Sequence, residues 1–226
     1  MCAAMRNAEP SQPQTQLVLV TPPIEVADAF ASALDAALSG GPVAAVIARF
    51  AEADERTLIN AVKILAPVVQ KHGTALIVEA SPAVAARGGA DGCHLAFDMQ
   101  RLTDAVASLA PQRMVGVSGL KSRDDAMAAG EKGADYVMFG EPMVSRHAEK
   151  NGLLPPIHAV VERVGWWAEL FEVPVIGFAP DIAGAAALAA VSADFVALAD
   201  PVWNNVAGPQ AGVAEALAAI AGARRP

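Results

Sequence analysis

The stretch Met114–Phe139, MVGVSGLKSRDDAMAAGEKGADYVMF, decides the fold. Its opening, Met114–Val117, is a short apolar run that suits a buried strand, and Tyr136–Phe139 is another. Between them Ser122–Lys132 carries alanine and charge at helical spacing. The helix gives way to the second strand through Gly133-Ala134-Asp135, where glycine supplies a positive φ and aspartate can bond the turn amides locally. Strand, helix and strand in this order make a parallel pair with a crossover helix.

The same turn phrase recurs as Gly-Ala-Asp-Gly at 89–92 and Ser-Ala-Asp-Phe at 192–195, so the unit repeats. Strands are expected at Leu17–Thr21, Ala44–Ala48, Ala75–Val78, Gly92–Leu95, Met114–Val117, Tyr136–Phe139, Val175–Gly177 and Phe195–Leu198. Helical stretches follow each, at 26–38, 55–72, 82–87, 99–109, 122–132, 157–171, 182–191 and 211–221. The fold class is α/β, and about eight such units in ~200 residues describe a single (β/α)8 (TIM) barrel spanning 16–226. A doubly wound dinucleotide fold needs a glycine-rich turn after its first strand. Here that turn reads Thr21-Pro22-Pro23-Ile24, which lacks the amides to cradle a pyrophosphate.

Composition narrows the function. The 226 residues are 54% hydrophobic and 18% charged, with a formal charge of −8, so nucleic acid is not an expected partner. Apolar stretches are interrupted before the ~18 residues that a membrane span requires. Residues 1–15, rich in Pro, Gln and Ser, read as a disordered leader with no signal-peptide core. Two cysteines, Cys2 and Cys93, form no disulfide framework, and a cytoplasmic location is expected.

In such a barrel the chemistry sits just after the strands. Arg49, ending an otherwise apolar strand, must be paired or face a polar cavity, with Glu79 on the next strand as its possible structural partner. The long connection 141–156, with Ser145, Arg146, His147 and Lys150, is a candidate lid for an anionic ligand. His94 lies among apolar neighbours and reads as a core residue. His72 and His158 read as helix-dipole partners. Asp91, Asp135 and Asp194 belong to the bottom of the barrel and read as stabilising. Trp166 and Trp167 point apart, one ring buried and one exposed or interfacial, which makes a homodimer contact possible.

At Gly92-Cys-His-Leu95, Val115-Gly-Val-Ser118, Gly133-Ala-Asp-Tyr-Val137 and Phe139-Gly140 the chain resembles the thiamin phosphate synthase and thiazole tautomerase superfamily, from about Leu17 to Ile220. The resemblance implies a (β/α)8 barrel of thiamin biosynthesis. It implies that hydroxymethylpyrimidine diphosphate is joined to thiazole phosphate with loss of pyrophosphate, and that Mg2+ sits on the diphosphate. On this footing Arg49 and Ser118 are the catalytic residues. Arg49, Ser118, Gly140, Ser145, Arg146, Lys150 and Gly177 hold substrate phosphates, and Glu79 with Asp98 stands in for the metal ligands.

The chain departs from the family's pattern at named positions. Ile47 and Ala51 flank Arg49 where Gln and Lys are expected, and Glu79-Ala80 replaces Asn-Asp. Phe97 and Met99 stand where Gln and the metal-binding Asp belong. Ala179-Pro180 replaces the Gly-Gly of the phosphate cup, Asp200 replaces a Ser, and Leu120 replaces the tautomerase His. These departures leave a second role open: a catalytically degenerate paralogue that binds a thiamin-related or other small molecule without turnover.

Overall fold

A computed structural model describes residues 14–140 and 155–223. The strands β1 (Gln16–Val20), β2 (Ala45–Ala48), β3 (Ala75–Val78), β4 (Gly92–Ala96), β5 (Met114–Ser118), β6 (Tyr136–Phe139), β7 (Val175–Phe178) and β8 (Phe195–Leu198) pair in parallel in chain order. β8 then pairs with β1, Leu17 against Val196 and Leu19 against Leu198, which closes the barrel. Around it lie α1 (Ala27–Leu38), α2 (Glu55–Gln70), α3 (Pro82–Gly88), α4 (Met99–Leu109), α5 (Arg123–Glu131), α6 (Ile157–Leu170), α7 (Ile182–Ala190), α8 (Asp200–Trp203) and α9 (Pro209–Ala221). The expected strand ends fall within one residue of these. The four-residue α8 has no counterpart in the sequence reading, because a single turn has no periodicity to detect.

Each strand is apolar on both faces for a reason that closure supplies. Leu17, Val46, Leu76, Val115, Val137 and Val196 pack outward against the helices. Val18, Ile47, Ile77, Tyr136, Met138, Ile176 and Ala197 fill the interior. Tyr136 occupies space that only glycine leaves open, because a Cβ at Gly116 would lie 1.9 Å from its ring. Its hydroxyl meets His94 Nδ1 at 2.8 Å. His94 is buried, as its apolar neighbours suggest. At the bottom of the barrel, where Ala45 and Ala75 leave room, the interior holds a cavity of about 280 Å3. It faces away from the strand ends that carry chemistry in barrels.

The repeated turn behaves as expected in its first residue and differently in its third. Gly89, Gly133 and Ser192 all adopt positive φ, 86°, 96° and 63°. The aspartates do not bond locally: Asp91 accepts the Leu76 N–H at 2.8 Å, Asp135 the Val115 N–H at 2.7 Å and Asp194 the Val175 N–H at 2.9 Å. Each carboxylate therefore clasps the strand before its own, sewing β3 to β4, β5 to β6 and β7 to β8. Thr74 donates to Val43 O, and Thr15 donates to Ala193 O across the β8–β1 seam. Thr15 is buried, so it belongs to the barrel; residues 1–13 of the expected leader lie outside the described residues.

Several other expectations are corrected or refined. His72 lies just past α2, and its ring pairs with Asp35 of α1 at 2.6 Å. His158 falls in the first turn of α6, the end at which the dipole disfavours a cation. Trp167 is buried against Phe139 and Phe171, and Trp166 is half-buried with the Arg123 guanidinium 4.4 Å from its ring centre. No helix among the described residues is long and apolar enough to cross a membrane.

Two predictions follow from this packing. Gly116→Ala forces Tyr136 out of place and lowers unfolding free energy by about 2 kcal/mol or more in denaturant titration. Burial pushes the Cys93 thiol up from 9.0 to about 11. In Cys2→Ser protein, thiol labelling at pH 8 should therefore stay silent until denaturant is added. The native state also keeps a proton that the unfolded chain releases, so this group's contribution to stability declines as pH rises from about 9 toward 11.

Candidate active site at the C-terminal mouth

The strand alternation that puts Ile47 and Ile77 inside places Arg49 and Glu79, two residues on, over the top of the barrel. The Arg49 backbone is pinned there from β1. Its N–H donates to the buried Thr21 hydroxyl at 2.9 Å, and its carbonyl accepts the Ile24 N–H at 2.9 Å. The Thr21-Pro-Pro-Ile24 turn, unfit for a dinucleotide, thus serves as a brace. Arg49 Nε lies 3.3 Å from Glu79 Oε2, with the arginine side chain 13% exposed and the glutamate 35%. The structural partner named from sequence is therefore in contact, and the pair faces the mouth together.

Ser118 shares the inward parity of Gly116 and is buried opposite Ala96 of β4. Its carbonyl accepts the Phe97 N–H at 2.8 Å, which ties the β4 loop to the β5 loop. Gly119 follows at φ 71°, and Leu120 turns into the core. Arg163 of α6 donates to Leu120 O at 3.2 Å and lies over the Phe139 ring. Arg163 is not among the site residues expected from the sequence. The one available signal was its place beside apolar Val160, Val161 and Val164.

Of the two expected metal ligands, Glu79 is engaged by Arg49, and Asp98 caps α4 by accepting the Arg101 N–H at 2.9 Å. Both are hard oxygen donors at the ends of adjacent strands, which suits Mg2+ bound by one or two carboxylates together with substrate phosphate oxygens. Among the described residues no three His, Cys, Asp or Glu side chains converge as a self-sufficient metal site. Gly140, at φ 87°, directly follows β6, with the position of its missing Cβ held by Val160 and the Phe178 carbonyl. Gly177 lies within β7, and the space of its missing Cβ is filled by Leu188 of α7, on the helix side of the sheet. Ser145, Arg146 and Lys150 lie outside the described residues.

The far side of the mouth is built differently. Phe178 and Ala199 top the interior cluster, and Trp203 of α8 packs on it, donating Nε1–H to Val20 O at 2.7 Å. Asp181 begins the β7 loop's helix, accepting the Gly184 N–H at 2.7 Å, and Asp200 begins α8. One side of the mouth is thus a guanidinium–carboxylate pair with a serine, and the other is apolar and acidic.

The family model described as thiamine monophosphate synthase matches residues 17–202. The chain belongs to the thiamine monophosphate synthase family. A thiamine-phosphate synthase of Rhodospirillum centenum is 38% identical over 201 residues, 88% of this chain and 95% of that protein. One of Hyphomonas neptunium is 33% identical over 215 residues, covering 92% and 95%. In fold the chain is similar to thiamine phosphate pyrophosphorylase from Pyrococcus furiosus, with a TM-score of 0.73 over 92% of this chain and 96% of that one at 20% identity. The geranylgeranylglyceryl phosphate synthase of Thermoplasma acidophilum shares the barrel at a TM-score of 0.63 and 14% identity.

If Arg49 and Glu79 act as a pair, Arg49→Ala and Glu79→Ala each lower stability by about 1–3 kcal/mol. The double variant should lose at least about 0.5 kcal/mol less than the sum. Strict additivity in a denaturant-unfolding cycle would show that the contact carries no coupling.

Proposed function

We propose that this chain joins hydroxymethylpyrimidine diphosphate to thiazole phosphate with release of pyrophosphate, forming the thiamine phosphate after which its relatives are named. The reading is carried by full-length similarity to those relatives, 38% for the Rhodospirillum centenum protein over 95% of its length. Arg49 is the residue on which the chemistry turns. Its backbone is pinned by Thr21 and Ile24, and its guanidinium is held against Glu79 in a half-enclosed mouth, where charge stabilisation is stronger than in water.

The step separates charge at the pyrimidine methylene. The C–O bond to the diphosphate breaks with its electron pair going to the leaving pyrophosphate, and the thiazole nitrogen lone pair forms the new C–N bond. Negative charge therefore grows on the leaving oxygen, where a positioned guanidinium lowers the barrier. In this reading the Ser118 hydroxyl donates a hydrogen bond to the same diphosphate, and Ser145, Arg146 and Lys150 are the further phosphate contacts. Mg2+, held by Glu79 and Asp98 with diphosphate oxygens, would supply additional neutralisation of the leaving group. The apolar wall of Phe178 and Trp203 excludes water, which would otherwise intercept the pyrimidine cation.

The test is to supply the purified protein with the pyrimidine diphosphate, thiazole phosphate and Mg2+, and to follow pyrophosphate release together with thiamin phosphate. Product forms, and Arg49→Ala lowers kcat/KM by about 100-fold or more while Arg49→Lys retains part of it. Turnover unchanged in Arg49→Ala would remove the residue from the proposed role.

A further inference from the structure

Apart from the proposed reaction, we infer that the bottom of the barrel is a second ligand site, built for a flat, two-ring heteroaromatic molecule that carries an N–H donor. A (β/α)8 interior is ordinarily filled by layers of bulky branched side chains. Here the lowest layer is emptied on one side, because Ala45 and Ala75, paired in register on β2 and β3, stand where such side chains belong. The result is the cavity of about 280 Å3 that both alanines line. A void of that size lowers core stability unless something occupies it.

The walls fit an aromatic occupant. Val18, Ile47, Ile77 and Ile176 form a buried apolar floor, and Tyr136 and Phe195 add two aromatic rings. Met114 lies exposed at the opening, where a thioether packs favourably against an aromatic ligand. An apolar cavity of about 150 Å3 stays dry and admits benzene. At nearly twice that volume, this one takes two fused rings. The mouth is not involved, since Arg49 and Glu79 stand two residues beyond Ile47 and Ile77, on the far side of the floor.

Polarity selects the occupant further. The Tyr136 hydroxyl already meets His94 Nδ1 at 2.8 Å, so the polar handles are at the rim, where Gln16 and Asp135 are exposed. Among the described lining residues Asp135 alone is charged. Its Oδ2 accepts the Val115 N–H at 2.7 Å, which fixes the side chain in place, and the carboxylate keeps acceptor capacity for a second donor. A ligand N–H is favoured beside it, and an aromatic carboxylate is repelled.

The experiment titrates the purified protein by calorimetry with three probes: indole, its isostere benzofuran, which lacks the N–H, and 2-naphthoate. Indole is expected to bind with a Kd below about 1 mM, benzofuran about threefold or more weaker, and 2-naphthoate about tenfold or more weaker. Ala75→Leu fills the cavity and should weaken indole by about tenfold or more; Ala45→Ile, which fills the same space from the neighbouring strand, serves if Ala75→Leu does not fold. No indole binding at about 5 mM overturns the inference, as does indole affinity unchanged in the filled variant, which would put the probe elsewhere on the protein. Benzofuran or 2-naphthoate binding as tightly as indole overturns the assigned ligand class.

Discussion

The pairing of β8 with β1 is the constraint from which the remaining structure follows. A closed parallel sheet has no edges, and every residue along it must point either into the barrel or toward the helices. Closure also demands that eight seams hold together at the end where helices hand over to strands. Aspartates of the repeated turn clasp three of those seams, and the Thr15 and Thr74 hydroxyls add theirs at two more. Each such bond contributes about 1 kcal/mol or more.

The same alternation assembles the mouth. Arg49, Glu79 and Ser118 are scattered over seventy residues of chain and share only their inward parity at the ends of β2, β3 and β5. The barrel converts that parity into proximity, and the brace from Thr21 and Ile24 removes the backbone freedom that a lone arginine would otherwise have. Across the mouth, α8 is shaped by Pro201 and by Trp203, whose indole reaches back to the β1 carbonyl of Val20. The two halves present opposite electrostatics, one centred on a guanidinium and one on two carboxylates. That asymmetry is a property of this chain's residues within a family fold whose backbone it shares.

Strands and most helices were legible because apolar run length and alanine-rich periodicity are local properties. The helix starts carry their own caps in the structure: Ser81, Asp98, Ser122 and Asp181 each accept an amide of the first turn that follows. The aspartates of the turn phrase were legible as structural but not in their partners, since a carboxylate's local options look the same whether or not a neighbouring strand arrives. Arg163 was not legible as a brace for the Ser118–Leu120 loop, because its partner carbonyl lies 43 residues away.

By itself the sequence determined that this is a (β/α)8 chain with a Gly/Ser-Ala-Asp punctuation and an unusual arginine at the end of its second strand. These follow from composition, period and position, which need no neighbours to be read. Only the tertiary structure decided that Arg49 contacts Glu79, that the aspartates bind across strands and that Tyr136 fills the space left by Gly116. Those facts depend on which groups closure brings within hydrogen-bond reach, and distance between residues far apart in the chain is set by the barrel.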